Sequence, residues 1–245
     1  MTEYKDTGIV LSRRDSGEAD NICTIYTKSA GKECFVFRGL KKSVKRPRTG
    51  SEPGTVLDMI YYSGSSGNFN TISEFDILIN NSLIRSSGEK IFSLFYILEL
   101  VERTTGRADS NIGIFNLLSS GIDTLSQTSR VKHFTVFFTI RYLLLQGVFP
   151  AALKCSWCGE PGCDKLFIEI PEFRVSCTAC SDPGTSSLGG RFIEFINQCV
   201  NLKLDRIDCG RYSERDMHLL IIKLIDYIQR YFSIKLKSES MLTKE

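Results

Sequence analysis

The sequence is poor in the features that most catalytic centres need. Its 245 residues contain two histidines, His133 and His218, and each stands in an apolar helical pattern without an acid or base partner at a recognisable spacing. The loop Gly-x-x-x-x-Gly-Lys-Ser/Thr is absent, so the sequence does not predict ATP binding. No cluster of Asp, Glu and His resembles the metal site of a nuclease. These absences predict a protein that is not an enzyme.

Long apolar runs are also missing. The two most apolar stretches, 134–149 and 219–232, are broken by charged residues such as Arg141 and Lys223, so neither predicts a membrane span. The first eight residues include acidic side chains and no apolar region, so they do not predict a signal peptide. Nine cysteines, an odd number, do not suit a secreted disulfide scaffold. A reducing compartment fits better, and we expect a cytoplasmic protein.

What the sequence does contain is two pairs of cysteines, Cys155 with Cys158 and Cys177 with Cys180, in the pattern C-x2-C-x18-C-x2-C. This spacing is typical of a four-thiolate zinc site. Two cysteines separated by two residues can turn both sulfurs to one point when the backbone makes a tight turn, and two such pairs supply the tetrahedral shell that Zn²⁺ prefers. Four thiolates leave no open position, so the pattern predicts a structural zinc.

Other states of these cysteines remain open at this point. An iron–sulfur cluster could use the same four ligands, although the tight C-x2-C-x2-C run of bacterial ferredoxins is absent. Two disulfides, unligated thiols or a redox-active C-x-x-C pair are further alternatives. Cys163 lies nearby and could replace a ligand, but its spacing from Cys158 makes it the weaker candidate.

The charge of the chain is concentrated near its N-terminus. The net charge is +3, yet residues 1–50 carry 11 Lys and Arg against 6 Asp and Glu. Within 28–48, eight basic residues face Glu33 alone. This asymmetry predicts an anionic polymer as partner, with a solvated charged loop as the alternative. The candidate nucleic-acid-binding residues are Arg13, Arg14, Arg38, Lys41, Lys42, Lys45, Arg46 and Arg48. Because Arg13 and Arg14 are adjacent, a strand would turn them to opposite faces, and we expect at most one to reach DNA.

The pattern of apolar residues predicts an α+β protein. Five short segments rich in Ile, Val, Thr, Phe and Tyr, at 9–13, 22–27, 34–38, 55–62 and 69–77, predict strands. Five strands in so short a stretch suit an oligonucleotide-binding (OB) barrel. Its aromatic residues either fill the core, as we expect of most, or stack on bases, and they are Tyr26, Phe35, Phe37, Tyr61, Tyr62 and Phe69.

Beyond about residue 80 the apolar period becomes helical. A first helix is predicted where Ile91, Leu94, Phe95, Leu98 and Val101 share one apolar face. Further helices are predicted at 112–125, 131–146 and 188–202, and a last one begins at Ser213, where Ser213-x-x-Asp216 resembles a capping box. The predicted architecture is an N-terminal five-stranded OB-type β-barrel followed by an α-helical domain with an inserted four-cysteine zinc module. The predicted domains are 1–79 for the barrel, 80–151 with 185–240 for the helices, and 152–184 for the zinc module.

Short motifs accompany these elements in a fixed order. They are Gly17-Glu18-Ala19-Asp20, Thr27 with Gly31-Lys32, the basic segment Arg38-Gly39-Leu40-Lys41-Lys42-Ser43, and Gly147-Val148-Phe149-Pro150 before Cys155-Ser156-Trp157-Cys158-Gly159. Over nearly the whole chain this order resembles the RecO family of bacterial DNA repair proteins. The chain departs from the family pattern where Phe173-Arg174-Val175-Ser176 replaces a Gly-Gly before the second cysteine pair, and where the proline of the basic segment comes only at Pro47.

The resemblance implies a recombination mediator. Members of the family bind single- and double-stranded DNA and anneal complementary strands. With the partner RecR they help to load the RecA recombinase onto DNA coated by single-strand-binding protein, and many bind the acidic C-terminal tail of that protein. The resemblance therefore implies a cytoplasmic, nucleoid-associated protein of DNA repair.

Two functions of other classes remain open. The chain could be a zinc-containing protein-docking scaffold with incidental nucleic-acid binding, which would suit the nearly neutral region after residue 50. It could also be an enzyme that uses the four cysteines for thiol chemistry.

Overall fold

Five N-terminal strands close into a β-barrel, and the computed structural model describes residues 2–64, 69–150, 154–160, 166–169, 172–181 and 187–243. The strands are β1 (Glu3–Ser16), β2 (Asp20–Thr27), β3 (Gly31–Phe37), β4 (Val56–Tyr62) and β5 (Asn70–Ile79). Their order around the barrel is β1-β2-β3-β5-β4, and all neighbours are antiparallel except β3 and β5. β1 closes the barrel because it pairs with both β2 and β4. The predicted five-stranded barrel is confirmed.

Apolar side chains, most of them from alternate strand positions, fill the barrel interior. They are Val10, Cys23, Ile25, Phe35, Phe37, Leu40, Leu57, Met59, Tyr61 and Ile72. The rings of Phe35 and Tyr61 meet edge to face with their centroids 5.1 Å apart. The aromatic residues named from the sequence therefore fall into different environments. Phe35, Phe37 and Tyr61 belong to the barrel core, Tyr26 is also buried, Tyr62 is half-buried and Phe69 is exposed.

Two helices pack against the barrel, and with it they form a compact unit, Met1–Thr128. They are α1 (Gly88–Thr104) and α2 (Ile112–Gln127). The Lys32 ammonium fastens β3 to the end of α1, because it donates to the carbonyl oxygens of Glu102 and Thr105. Carbonyls in the last turn of a helix lack intrahelical partners, and a lysine near them satisfies them. Burial lowers the pKa of Lys32 from its ordinary value.

The turn between β2 and β3 makes a close contact that only glycine allows. Gly31 has a φ of 71°, and a Cβ there would overlap the backbone of Asp109. We expect Gly31→Ala to lower the free energy of unfolding by about 2–5 kcal/mol, since the left-handed backbone costs about 1–2 and the displaced neighbour about 1–3. Gly17→Ala is the matched control, because its φ is 57° and no atom lies within 4 Å of its added Cβ. Equal losses for the two variants in urea denaturation would contradict the close contact.

The second compact unit, Ser129–Glu245, contains helices and a small sheet. Its helices are α3 (Val131–Leu145), α4 (Arg191–Asn201), α5 (Glu214–Tyr231) and α6 (Glu239–Leu242). The strands β6 (Leu166–Glu169), β7 (Arg174–Cys177) and β8 (Ser187–Gly189) lie between α3 and α4 in sequence and form an antiparallel sheet in the order β7-β6-β8. The structure thus has the predicted helical region with a cysteine-bearing insertion. The three predicted domain ranges stay a prediction.

Short 3-10 turns complete the regular structure, at Leu40–Lys42, Arg48–Ser51, Ile84–Ser86, Leu204–Arg206 and Cys209–Arg211. The predicted capping box begins α5, since Ser213 Oγ accepts from the Asp216 N–H and the Asp216 carboxylate accepts from the Ser213 N–H, each at 3.1 Å. His133 is buried, with its Nε2 3.0 Å from the Tyr212 carbonyl oxygen, as expected of a core histidine. Across the described ranges, no helix combines the length and apolar character needed to cross a bilayer.

Candidate metal centre and nucleic-acid interface

The structure brings the four paired cysteines together in the second unit. The sulfurs of Cys155, Cys158, Cys177 and Cys180 all lie within 4.8 Å of one another, and Cys158 Sγ is 3.9 Å from Cys177 Sγ. In a tetrahedral zinc–thiolate shell with Zn–S near 2.3 Å, neighbouring sulfurs are about 3.8 Å apart. The spacing and the purely sulfur donor set therefore fit a metal ion that prefers four soft ligands.

Backbone hydrogen bonds build the two turns that carry these sulfurs. In the first turn the Gly159 N–H donates to the Cys155 carbonyl at 3.0 Å, and Gly159 has the positive φ of 75° that such a turn favours. The second turn follows the end of β7, where the Ser181 N–H donates to the Cys177 carbonyl at 2.8 Å. A bond of 2.8 Å from the Ser156 N–H to the Val175 carbonyl ties the first turn to β7.

The thiols of the cluster differ in acidity. The hydrogen bond from the Cys158 N–H is the largest of several that lower the pKa of the Cys155 thiol to about 6. The hydrogen bond with the Cys177 thiol is the main cause that raises the pKa of Cys180 to about 12. The backbone thus favours a thiolate at Cys155, and the charge of that thiolate adds to the raised pKa of Cys180. A divalent cation at this point would reverse that preference, because a coordinating thiol is deprotonated.

The alternatives left open for these cysteines narrow. All eight cysteines in the described part of the chain are free thiols, so none of those eight forms a disulfide. Cys163 lies outside the described residues. Of the other four free cysteines, Cys23 and Cys199 are buried and Cys34 and Cys209 are half-buried. The four-cysteine cluster is the group of described residues that could hold a metal ion.

The departure from the family pattern before the second cysteine pair has a packing role. Phe173 takes a positive φ of 51° and is buried. Its ring centroid lies 5.9 Å from that of Phe149 and 5.1 Å from that of Tyr227 on α5. The start of β7 is therefore anchored on the helical part of the same unit by an aromatic side chain.

In the first unit, the basic segment 38–48 is fastened to the turn between β1 and β2. The Gly39 N–H donates to the Asp20 carboxylate at 2.7 Å, and the Lys41 N–H donates to the Ala19 carbonyl at 3.0 Å. Within the segment, the Arg46 guanidinium donates to the Arg38 carbonyl. These bonds explain why the motif at Gly17–Asp20 and the basic segment occur together, since one holds the other in place.

Acidic side chains neutralise part of this basic segment. Lys41 Nζ lies 3.2 Å from the Asp15 carboxylate, and Lys42 Nζ lies 2.9 Å from that of Glu18. Three side chains of the segment are exposed and form no ion pair with any described residue, namely those of Arg38, Lys45 and Arg48. Exposed pairs of this kind are weak, so a phosphate could displace the carboxylates. That all eight predicted basic residues bind DNA stays a prediction.

The strand register separates Arg13 from Arg14. Arg13 pairs with Cys23, whose side chain is in the barrel core, whereas Arg14 pairs with Ile22. The Arg14 guanidinium carbon lies 5.7 Å from the centre of the exposed Phe69 ring. The sequence named Arg14 and Phe69 separately as candidates. Their contact could not be predicted, because no local pattern links positions so far apart in the chain.

A second stacked pair was missed from the sequence. The Arg174 guanidinium carbon lies 5.1 Å from the centre of the Trp157 ring, and Trp157 is 61% exposed between two of the paired cysteines. The cysteine spacing could have indicated that Trp157 is exposed, because the turn at Cys155–Cys158 leaves the residues between the two ligands outside the cluster.

Comparison with known proteins decides the family. Residues 1–80 match the family described as Recombination protein O N terminal, and residues 85–240 match Recombination protein O C terminal. The chain belongs to the recombination protein O family. The two matches cover the barrel with its basic segment and the helical unit with its four cysteines, so both candidate sites lie within the RecO family regions.

Similar proteins from several bacteria match this chain over most of its length. The DNA repair protein RecO of Exiguobacterium sp. is 25% identical over 239 residues, which cover 97% of this chain and 94% of that protein. The DNA repair protein RecO of Pelotomaculum thermopropionicum is 26% identical over 248 residues, covering 100% and 95%. That of Frankia casuarinae is 29% identical over 199 residues, covering 80% and 81%. Membership of the RecO family supports a role in DNA repair.

Proposed function

We propose that this RecO-family protein binds single- and double-stranded DNA through the basic side of its barrel and acts as a mediator of recombination without catalysing a covalent step. The observation that carries the proposal is the basic segment 38–48, which backbone and carboxylate bonds hold against the β1–β2 turn of an OB-type barrel. Barrels of this kind bind oligonucleotides with the face of strands 2 and 3 and the flanking loops. Cations fixed beside that face can neutralise phosphates and release counterions.

The mediator role implies specific partners. We propose that the protein anneals complementary strands and, with RecR, assists the loading of RecA onto DNA coated by single-strand-binding protein, whose acidic C-terminal tail it binds. We place this activity in the cytoplasm, at the nucleoid. Family membership supports these proposals, and the basic surface provides a physical reason for the annealing, since it lowers the repulsion between two phosphate backbones.

We propose further that the metal is Zn²⁺ and that its role is structural. Four thiolates suit zinc and leave no coordination position for a substrate. When bound, the ion would supply a fixed cross-link between the two cysteine turns. The side chains that would hold it are Cys155, Cys158, Cys177 and Cys180.

Annealing is expected to proceed without ATP. Two complementary labelled strands, mixed at concentrations at which spontaneous pairing is slow, should pair faster when the protein is added. The acceleration should fall as salt rises, because the phosphate contacts that bring the strands together release counterions. Acceleration that needs ATP, or cleavage of either strand, would contradict a non-enzymatic mediator.

A further inference from the structure

We propose that Phe69 and Arg14 form a base-stacking subsite that selects unpaired DNA, an inference that rests on the proposed DNA-binding function and names the part of the strand that this surface holds. Phe69 directly precedes β5 and is 38% exposed. The guanidinium carbon of Arg14, near the end of β1, lies 5.7 Å from the centre of its ring. The planar guanidinium of Arg14 therefore lies beside an aromatic ring that is exposed to solvent.

The register of the barrel shows which face this is. Arg14 pairs with Ile22 on β2, Ile22 with Val36 on β3, and Val36 with Thr71 on β5. Directly paired residues of a sheet turn their side chains to the same face. The neighbouring row contains Cys23 and Phe35, both fully buried in the core, so the row of Arg14 belongs to the outer face.

The subsite therefore lies over β2 and β3, between the β1–β2 turn and Phe69, the residue that directly precedes β5. This is the part of an OB-type barrel from which a ligand can be held by a sheet face and two flanking loops. On that face the positions of Ile22 and Val36 lie between that of Arg14 on β1 and that of Thr71 on β5, so the middle of the row is apolar.

The charges around the subsite indicate the occupant. Residues 13–20 and 38–48 together carry eight Lys and Arg against three Asp and Glu. Two of those acids, Asp15 and Glu18, are paired with Lys41 and Lys42. An occupant that suits both the cationic border and the flat apolar ring is a nucleotide with an unstacked base. In a duplex the base faces are already stacked on each other, so the ring would have nothing to bind.

We infer that a base displaces the Arg14 guanidinium from the ring of Phe69 and that the displaced cation stays within reach of the flanking phosphate. Stacking of a base on an aromatic side chain changes affinity by about 5- to 150-fold, by the range measured for alanine substitution. The phosphate contact contributes a salt-dependent part, about 0.7 in the slope of log K against log salt for a single strand.

The test compares strands with and without bases. Wild type, Phe69→Ala and Phe69→Leu are titrated by fluorescence anisotropy with a labelled single strand and with a strand of the same length built from abasic sites. We expect both variants to bind the normal strand about 5- to 150-fold more weakly than wild type, with an unchanged salt slope. On the abasic strand and on duplex DNA they should match wild type, and Phe69→Trp should restore binding to the normal strand.

Two controls make the outcome specific. Phe92→Ala removes a ring on α1 with a similar exposed fraction, 40%, and should leave affinity unchanged. Arg14→Ala should flatten the salt slope by about 0.7 on both single strands. Weaker binding of Phe69→Leu to the abasic strand or to duplex DNA would contradict the proposed subsite. Wild-type affinity of both Phe69 variants for the normal strand would contradict it as well. A wild-type protein that binds no strand at any salt concentration would instead refute the proposed function.

Discussion

Replacing Arg38, Lys45 and Arg48 together by glutamate is expected to weaken binding to single-stranded DNA by about 100- to 1000-fold at about 50 mM salt, and to flatten the slope of log K against log salt by about 2. The three side chains are exposed, and no ion pair with another described residue has to break when they change. Each one that neutralises a phosphate contributes about 0.7 to the slope for a single strand, so three lost contacts account for the change.

The matched control changes the same charge elsewhere. Lys203, Arg206 and Arg215 are exposed residues of the second unit, and their replacement by glutamate gives the protein the same net charge as the first triple variant. If DNA affinity depended only on net charge, the two variants would bind equally weakly. We expect the control to keep the wild-type slope, and an unchanged slope in the first variant, with its fold intact by circular dichroism, would place the DNA site outside the segment 38–48.

The structure changes which basic residues make the cleanest test. Sequence alone favours reversal of Lys41, Lys42 and Arg46, because they stand at the centre of the charge cluster. Yet Lys41 and Lys42 pair with carboxylates of the β1–β2 turn, and Arg46 holds the backbone of the segment. Glutamate at these positions would set like charges against each other and loosen the segment. A loss of DNA binding would then mix a lost phosphate contact with a moved loop.

The fold could be predicted because its signals are local. The strands of the barrel and the helices after residue 80 each have an apolar period that short segments display, and the Ser213 capping box spans four residues. The cysteine cluster could be predicted for the same reason, since C-x2-C spacing is a local signature of a turn that aims two sulfurs at one point. These are the features in which sequence and structure agree.

The contacts that define the proposed DNA surface could not be predicted, because they join distant segments. Which of the barrel aromatics faces outward depends on register across β2, β3 and β5, and that register places Phe35 inside while Phe69 meets Arg14. The ion pairs of Lys41 and Lys42 depend on how one loop lies against another. A basic cluster in a sequence therefore indicates that an anion binds nearby, and only the paired carboxylates show which cations are available to it.

The largest effect on stability is expected from the metal centre. Cys155→Ser should abolish stoichiometric zinc and unfold the described residues around the cluster, 154–160 and 172–181. The physical reason is that the ion would cross-link the two cysteine turns, and structural zinc sites contribute about 10–16 kcal/mol of apparent binding free energy to folding. Metal analysis of the purified protein, followed by hydrogen exchange of peptides from these residues, measures both effects. Wild type should contain one zinc per chain, and iron or no metal in its place would refute the assignment.

The choice of cysteine separates loss of metal from loss of packing. Cys155 is buried in the cluster, whereas Cys199 is buried among the helices of the same unit and is not one of the four clustered sulfurs. Cys199→Ala should lower the melting temperature modestly and keep the full zinc content, because it removes only a small apolar contact.

If zinc is purely structural, Cys155→Ser should also bind single-stranded DNA as wild type does, because the basic residues 13–48 belong to the other compact unit. A parallel loss of zinc and of DNA affinity, with the barrel still protected from exchange, would contradict a purely structural zinc and show that DNA binding needs the folded cysteine module.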